Sequence, residues 1–244
     1  MKLPYAQDQL ILELLKAKPD TVVVMVAGSP VEMGAWLSRA KALVWNWYAG
    51  MEGGEALAEV LFGKVNPSGR LPESFPFSHM DCPAHCIGEF PGGKTVAYRE
   101  GIFVGYRYYE TRQMPVAFPF GYGLSYTEFT YERLKARVKG NGNGVKVQVT
   151  LGVVNTGAMK GKEVVQLYVG RKNSGEDRPI RELKAFDKIS LKPGEIKNLE
   201  FMLDMEAFSY YDEKEKEFRV EKGAYIISVC RSAHEVWMET EVEL

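Results

Sequence analysis

The chain has 244 residues, of which 45% are hydrophobic and 26% are charged, and its formal net charge is -1. This balance is typical of a globular protein with one large domain or two ordinary ones. It gives no reason to expect nucleic acid or an anionic membrane as a partner. No apolar run approaches the roughly 20 residues of a membrane-spanning helix. Three cysteines do not predict a disulfide framework, and without a recognisable secretion signal they favour a reduced, cytoplasmic location.

The first part of the chain alternates helical and strand patterns, which predicts a parallel α/β sheet. Helical spacing of leucine and isoleucine predicts a helix at residues 10–15, and TVVVMVA predicts a strand at 21–27 that is buried on both faces. A short helix at 32–37, a strand at 42–48 and a third helix at 55–61 follow. Because only two or three strands are present, we expect half of a domain rather than a free-standing sheet.

Residues 67–120 are rich in proline, glycine and aromatic residues, which predicts a long irregular segment that is functional or wraps another part of the molecule. From about residue 126 onward, short alternating runs are separated by turn sequences, among them the polar loop 141–144. These runs predict about seven strands, at 145–153, 163–169, 183–191, 199–203, 218–220, 224–229 and 236–242. Seven short strands indicate an immunoglobulin-like sandwich, which we expect to fold without residues 1–125.

Several segments resemble the carboxyl-terminal half of glycoside hydrolase family 3, the β-glucosidase type. Their sequences are WNWYAGMEGGEALAEVLFG at 45–63, GKVNPSGRLPESFPF at 63–77, YREGIFVGYRYYE at 98–110, FPFGYGLSYTEF at 118–129 and EVVQLY at 163–168. They occur in the family's order and span nearly the whole chain. The resemblance implies that residues 1–125 are the end of the family's α/β sandwich domain with an aromatic arm, and that 126–244 form a fibronectin type III-like sandwich.

The family's chemistry, as the resemblance implies it, uses two carboxylates and retains the anomeric configuration. The nucleophile is an aspartate of an amino-terminal TIM barrel. The acid/base is a glutamate that lies ahead of the segment matched by Met1–Pro4. We therefore assign no catalytic, cofactor-binding or metal-binding residue here, and expect no cofactor. The chain alone should be inactive, and its partner would be the missing barrel and first half of the α/β domain, which bring a small β-linked saccharide. A non-catalytic carbohydrate-binding or interaction module is the alternative.

Glu52 and Glu55 follow the second predicted strand, where α/β sheets place ligands. They could act as an acid/base pair, but carboxylates in a first helical turn are also favoured by the helix dipole. The adjoining glycines could suggest a phosphate cradle. Two acidic side chains and the lack of a following lysine argue against it.

The sequence HMDCPAHC places His79, Cys82, His85 and Cys86 within eight residues. Zinc takes four such ligands. Because the adjacent His85 and Cys86 would be awkward as ligands, a surface loop without metal is the favoured interpretation. A Cys82–Cys86 disulfide would require an oxidising compartment.

Three other features have both a structural and a functional interpretation. Aromatic residues between positions 36 and 126 could form a platform for sugars, but packing that joins the α/β layer to the sandwich is the favoured interpretation. Arg178 and Arg181 could clamp a carboxylate, although a role at the surface is the safer expectation. The charged run at 212–217 predicts a solvated turn between strands.

Overall fold

The computed structural model describes residues 1–140 and 144–244, so most of the predicted polar loop at 141–144 lies outside the described residues. The chain forms two compact units that do not follow chain order. The α/β unit comprises Met1–Val65, Phe75–Glu100 and Pro115–Phe118. The sandwich unit comprises Asn66–Ser74, Gly101–Met114 and Pro119–Leu244. A domain boundary between residues 125 and 126 stays a prediction.

The α/β unit contains the parallel sheet that the sequence predicts. Helix α1 (Gln7–Ala17) precedes strand β1 (Val22–Met25), and strand β2 (Ala42–Trp45) precedes helix α2 (Gly53–Leu61). The two strands pair in parallel, from Val22 opposite Ala42 to Met25 opposite Trp45. A single-turn helix, α3 (Pro83–Cys86), follows in the same unit.

Two details of this unit differ from the prediction. The predicted helix at 32–37 is not an α-helix, because residues 34–36 form a turn that leads into a short 3-10 helix at Leu37–Arg39. Tertiary contacts decide this segment, because the Trp36 side chain is fully buried and its Nε1–H donates to Asp8 Oδ1 at 2.7 Å. Burial of β1 on both faces is also wrong, since Val22 is exposed whereas Val23 is buried.

The sandwich unit is the predicted β-sandwich, and its two antiparallel sheets have four and three strands. Their strands are β3 (Phe129–Lys139), β4 (Lys146–Asn155), β5 (Gly161–Arg171), β6 (Glu182–Leu191), β7 (Ile196–Leu203), β10 (Ala224–Cys230) and β11 (Val236–Glu243). One sheet has the order β11-β10-β5-β6 and the other β3-β4-β7. Strands β8 (Ser209–Asp212) and β9 (Glu217–Val220) form a separate hairpin. Helix α4 (Tyr106–Thr111) belongs to the same unit.

The strand list derived from the sequence therefore needs two corrections. Strand β3 was not among the predicted strands, because a bulge between Glu132 and Lys135 interrupts its alternation and much of its length is polar and exposed. Residues 218–220 do form a strand, but they belong to the hairpin and not to either sheet of the sandwich.

The core of the sandwich is made by the inward-facing residues of both sheets. Val147, Val149, Leu167 and Ile227 are completely buried and belong to one continuous apolar cluster. Burying each such side chain stabilises a fold by about 1.5–3 kcal/mol.

No helix in the described part of the chain is long and apolar enough to cross a membrane.

Candidate functional site

The NPSGRLP segment anchors to the sandwich through Asn66. Its Oδ1 atom accepts hydrogen bonds from the Tyr126 backbone N–H at 2.8 Å and from Ser125 Oγ at 3.0 Å. Its Nδ2 atom donates to the carbonyl oxygen of Lys160 at 3.2 Å. One amide thus satisfies three groups on two separate stretches of the sandwich unit.

The arginine of the same segment forms a nearly buried ion pair. Arg70 Nη2 lies 3.1 and 2.9 Å from the two carboxylate oxygens of Glu163. Only 10% of the Arg70 side chain and 5% of the Glu163 side chain are exposed. The Tyr131 hydroxyl donates to Glu163 Oε1 at 3.1 Å, and burial, followed by the Glu163 charge, raises the pKa of Tyr131. Tyr131 therefore remains a neutral donor to this carboxylate.

An open pocket of about 450 Å³ has Arg70 and Glu163 in its lining. Arg231 and Trp237 also line it, and the guanidinium carbon of Arg231 lies 3.8 Å from the centroid of the Trp237 ring. Arg231 Nη2 donates to the carbonyl oxygen of Phe129 at 2.6 Å. These contacts hold the arginine and the indole in one stacked arrangement.

Arg181 clamps a carboxylate of its own chain, which corrects the expected surface role. Its Nη2 atom lies 3.1 Å from Glu110 Oε2, and its Nε atom donates to the Ala233 carbonyl oxygen at 3.1 Å. His234 Nδ1 lies 3.3 Å from the same oxygen of Glu110. Only 8% of the Glu110 side chain is exposed, so this nearly buried carboxylate has a structural role in the sandwich unit.

Arg178 is half-buried and also contacts its own chain. Its guanidinium carbon lies 5.7 Å from the centroid of the Tyr210 ring, and Nη2 donates to the Ser209 carbonyl oxygen at 3.5 Å. The arginine thus packs on the β8–β9 hairpin. The charged run at 212–217 is the turn of that hairpin, as predicted, and Asp212 Oδ1 accepts from the Lys214 backbone N–H at 2.9 Å.

The histidines and cysteines of HMDCPAHC do not form a metal centre. His79 Nδ1 lies 2.6 Å from Glu32 Oε1, and the His79 ring meets the His85 ring edge-on with centroids 5.3 Å apart. Cys82 and Cys86 are thiols outside any disulfide. In the parts of the chain that the structure describes, no three side chains of His, Cys, Asp or Glu are grouped to hold a metal ion.

Glu52 and Glu55 are both exposed at the start of α2. Glu55 lies in the first turn of the helix, where the dipole favours a carboxylate without any catalytic role. A general acid at neutral pH needs burial or a like charge to raise its pKa. Neither glutamate has the burial that this role requires.

The aromatic residues pack within their own units. In the α/β unit, Trp45 meets Phe75 edge-on with ring centroids 4.7 Å apart. In the sandwich unit, Tyr106 stacks on Phe120 at 4.9 Å and meets Tyr168 edge-on at 5.8 Å. Packing within a unit is therefore the role of these five rings, and the expectation that aromatic residues join the α/β layer to the sandwich stays a prediction.

The sequence analysis does not predict the ion pairs of Glu163 and Glu110, and it does not identify Arg231 or Trp237 as candidate site residues. A signal existed for Glu163, because a glutamate within a run of valines is costly to bury without a partner. The partner itself, Arg70, lies 93 residues away in the chain. No pattern among neighbouring residues indicates that Arg70 is the partner of Glu163.

Two family descriptions match the chain in consecutive positions. The glycosyl hydrolase family 3 C-terminal domain matches residues 1–126, and the fibronectin type III-like domain matches residues 163–233. The chain therefore belongs to glycoside hydrolase family 3, of which it forms a carboxyl-terminal portion.

Individual relatives are β-glucosidases. The chain is 42% identical over 245 residues to thermostable β-glucosidase B of Acetivibrio thermocellus, covering 100% of this chain and 32% of that protein. It is 41% identical to β-glucosidase BoGH3A of Bacteroides ovatus, covering 96% of this chain and 32% of that protein.

Solved structures agree with this assignment. The structure of the Kluyveromyces marxianus β-glucosidase in complex with glucose superposes with a TM-score of 0.93 and 43% identity, covering 100% of this chain and 29% of that one. β-Glucosidase 3B of Thermotoga neapolitana in complex with glucose superposes with a TM-score of 0.90 and 34% identity, over 99% of this chain and 34% of that one. The chain thus spans about a third of the length of its relatives.

Proposed function

We propose that this chain is the carboxyl-terminal part of a retaining β-glucosidase-type hydrolase that cleaves the O-glycosidic bonds of small β-linked saccharides. The ordered match across both units carries the proposal. Over its full length the chain superposes with a TM-score of 0.93 on a β-glucosidase in complex with glucose. Identity of 43% accompanies that superposition, so the likeness extends beyond the fold.

The catalytic carboxylates, in this proposal, come from the part of the enzyme that precedes this chain. Retaining hydrolysis needs two carboxyl groups about 5–5.5 Å apart across the scissile bond. Glu110 and Glu163 are nearly buried and each is paired with an arginine, and Glu52 and Glu55 are exposed. None of these four has the setting of a nucleophile or a general acid. The barrel and the first half of the α/β domain are the partners that would supply both.

The apolar surface of the α/β unit supports such a partner. Val26, at the end of β1, is 62% exposed, and Leu10 and Leu14 of α1 are 59% and 48% exposed. A parallel sheet of two strands with such surfaces buries less apolar area than stable parallel sheets do. Further strands and helices would cover these residues, which a stand-alone binding module would leave in water.

A chimera tests the proposal directly. The matched carboxyl-terminal third of the Acetivibrio thermocellus enzyme is replaced by this chain, and hydrolysis of p-nitrophenyl β-D-glucoside is measured. We expect the chimera to be active, whereas the truncated relative and the isolated chain are not. A Glu52→Gln, Glu55→Gln double variant of the chimera serves as a matched control and should keep its activity.

Two results would contradict the proposal. One is a chimera that is monomeric and cooperatively folded but inactive. The other is hydrolysis by the isolated chain that disappears in the Glu52→Gln, Glu55→Gln variant, which would place the acid/base pair in this chain.

A further inference from the structure

The pocket of the sandwich unit has the size of a small-molecule site. Its volume of about 450 Å³ lies within the range of about 300–1,000 Å³ that ligand pockets occupy. Its lining includes the Arg70–Glu163 pair and the stack of Arg231 on Trp237. All of these residues belong to the sandwich unit, so the pocket is complete within it.

The charges of the lining disfavour an anionic ligand. Two guanidinium groups, of Arg70 and Arg231, face three carboxylates, of Glu128, Glu163 and Glu235. The carboxylate of Glu163 neutralises Arg70, and Glu235 lies 3.5 Å from Arg231. The excess of negative charge would repel phosphate or a carboxylate.

The hydrogen-bonding groups of the lining favour a ligand that both donates and accepts. Arg70 has five N–H donors, and its Nε–H makes no hydrogen bond to a described residue. The carboxylate oxygens accept, the hydroxyl group of Thr130 can do both, and the Thr156 hydroxyl, which donates to the carbonyl oxygen of Glu128 at 3.4 Å, can still accept. Hydroxyl groups of a ligand match this mixture, because each is a donor and an acceptor.

Trp237 adds an apolar surface to this polar lining. The indole is 38% exposed, and the contact with Arg231 fixes its position. Aromatic rings beside guanidinium and carboxylate groups suit a sugar, which presents apolar C–H faces and a rim of hydroxyl groups.

We propose that this pocket binds a neutral saccharide. Arg70 and Glu163 form the floor that hydrogen-bonds the hydroxyl groups, and the stacked Arg231 and Trp237 form the wall against the sugar ring. The inference goes beyond the proposed function and does not rest on it, since binding requires no hydrolysis.

Calorimetry on the monomeric fraction of the 244-residue chain tests the site, with cellobiose as the probe and mannitol as the control for unspecific effects of a polyol. We expect saturable cellobiose binding in the millimolar range and no binding of mannitol. Trp237→Ala, on the exposed side of β11, should weaken binding at least about tenfold. Thr130→Trp should abolish binding, because Thr130 is an exposed residue of the lining and a larger side chain would fill the pocket.

The matched control is Phe218→Ala on the β8–β9 hairpin. Phe218 is 72% exposed and outside the lining, so its loss should leave the affinity for cellobiose unchanged. The site is refuted if cellobiose does not bind to the folded chain, or if Trp237→Ala and Thr130→Trp bind it as tightly as the parent. A lack of cellobiose binding would not change the activity expected of the chimera, so the two proposals can be refuted independently.

Discussion

Glu110 and Glu163 show that the nearly buried carboxylates of the sandwich unit are paired with arginines. Each accepts from an arginine, at 3.1 Å for Arg181 and at 2.9 and 3.1 Å for Arg70. A buried ion pair contributes little net stability compared with an apolar pair, but removing one partner leaves an uncompensated charge. The arginine of NPSGRLP is therefore explained by the carboxylate that it neutralises.

Arg70→Met should destabilise the sandwich unit by about 3–5 kcal/mol, because Glu163 would remain buried without its partner. Urea unfolding followed by circular dichroism at the β-sheet wavelength measures this loss. The control is Lys172→Met, which removes an exposed pair with Glu241 and should leave the midpoint nearly unchanged. Equal midpoints for parent and Arg70→Met would show that the pair is not required for the fold.

Short elements of the α/β unit depend on side chains that cap them. The 3-10 helix His79–Asp81 begins at Ser78, whose hydroxyl accepts from the Met80 N–H while Asp81 accepts from the Ser78 N–H. Glu32 adds a third acceptor, since its Oε1 receives the His79 backbone N–H at 3.0 Å. Three polar side chains thus stabilise a helix of three residues at the start of the HMDCPAHC segment.

The capping role of Glu32 predicts a pH dependence. The backbone N–H of His79, and then its imidazole, lower the pKa of Glu32 from 4.5 to about 2. A carboxyl group with a lowered pKa contributes its stability in full above the unfolded pKa, and this is lost as the pH falls from about 4.5 toward 2. The stability advantage of the parent over Glu32→Gln should therefore shrink between about pH 5 and pH 3.

Thermal unfolding at a series of pH values measures this difference. Met51→Gln, which changes a side chain that is 96% exposed and has no titratable group, should show a constant offset from the parent over the same range. Curves for Glu32→Gln that run parallel to the parent would contradict the capping role.

On the scale of the whole molecule, distant stretches of chain complete the sandwich unit. Asn66–Ser74 and Gly101–Met114 belong to it although other segments separate them from residues 119–244. Tyr106 and Phe120 cover a small buried cluster that contains Tyr168 and Cys230. The unit is thus defined by packing and not by a continuous stretch of sequence.

A protein that consists of residues 126–244 alone tests how much the stretches Asn66–Ser74 and Gly101–Met114 contribute to the sandwich unit. The excised segment should still fold, because the core between its two sheets is retained, but it lacks Tyr106 and Phe120. In the full chain Cys230 is completely buried, and burial raises its pKa to about 12. Its thiol should therefore react slowly in the full chain and much faster in the excised segment.

Labelling with a chromogenic disulfide reagent measures this rate, in chains where Cys82 and Cys86 are replaced by serine. Equal slow rates in both chains would show that residues 1–125 do not protect Cys230. Loss of cooperative unfolding in the excised segment would contradict its independent folding.

Several features of this protein were predictable from local sequence. The parallel pair β1–β2, helices α1 and α2 and six of the sandwich strands follow from hydrophobic periodicity and turn residues. Family membership followed from motifs such as NPSGRLP. These features depend on neighbours within a few residues, which a pattern along the chain records.

Other features required the tertiary structure. The segment at 32–37 does not form an α-helix because Trp36 is buried and hydrogen-bonded to Asp8 of α1. The sequence pattern does not predict β3 because a bulge shifts the alternation of its side chains. Sequence by itself determined the family and the two kinds of fold. The partners of Glu163 and Glu110 were decided only by the fold, because each pair joins groups far apart in the chain, 93 residues for Arg70 and Glu163 and 71 for Glu110 and Arg181. The pocket at Trp237 likewise depends on the fold, because several separate stretches of chain line it.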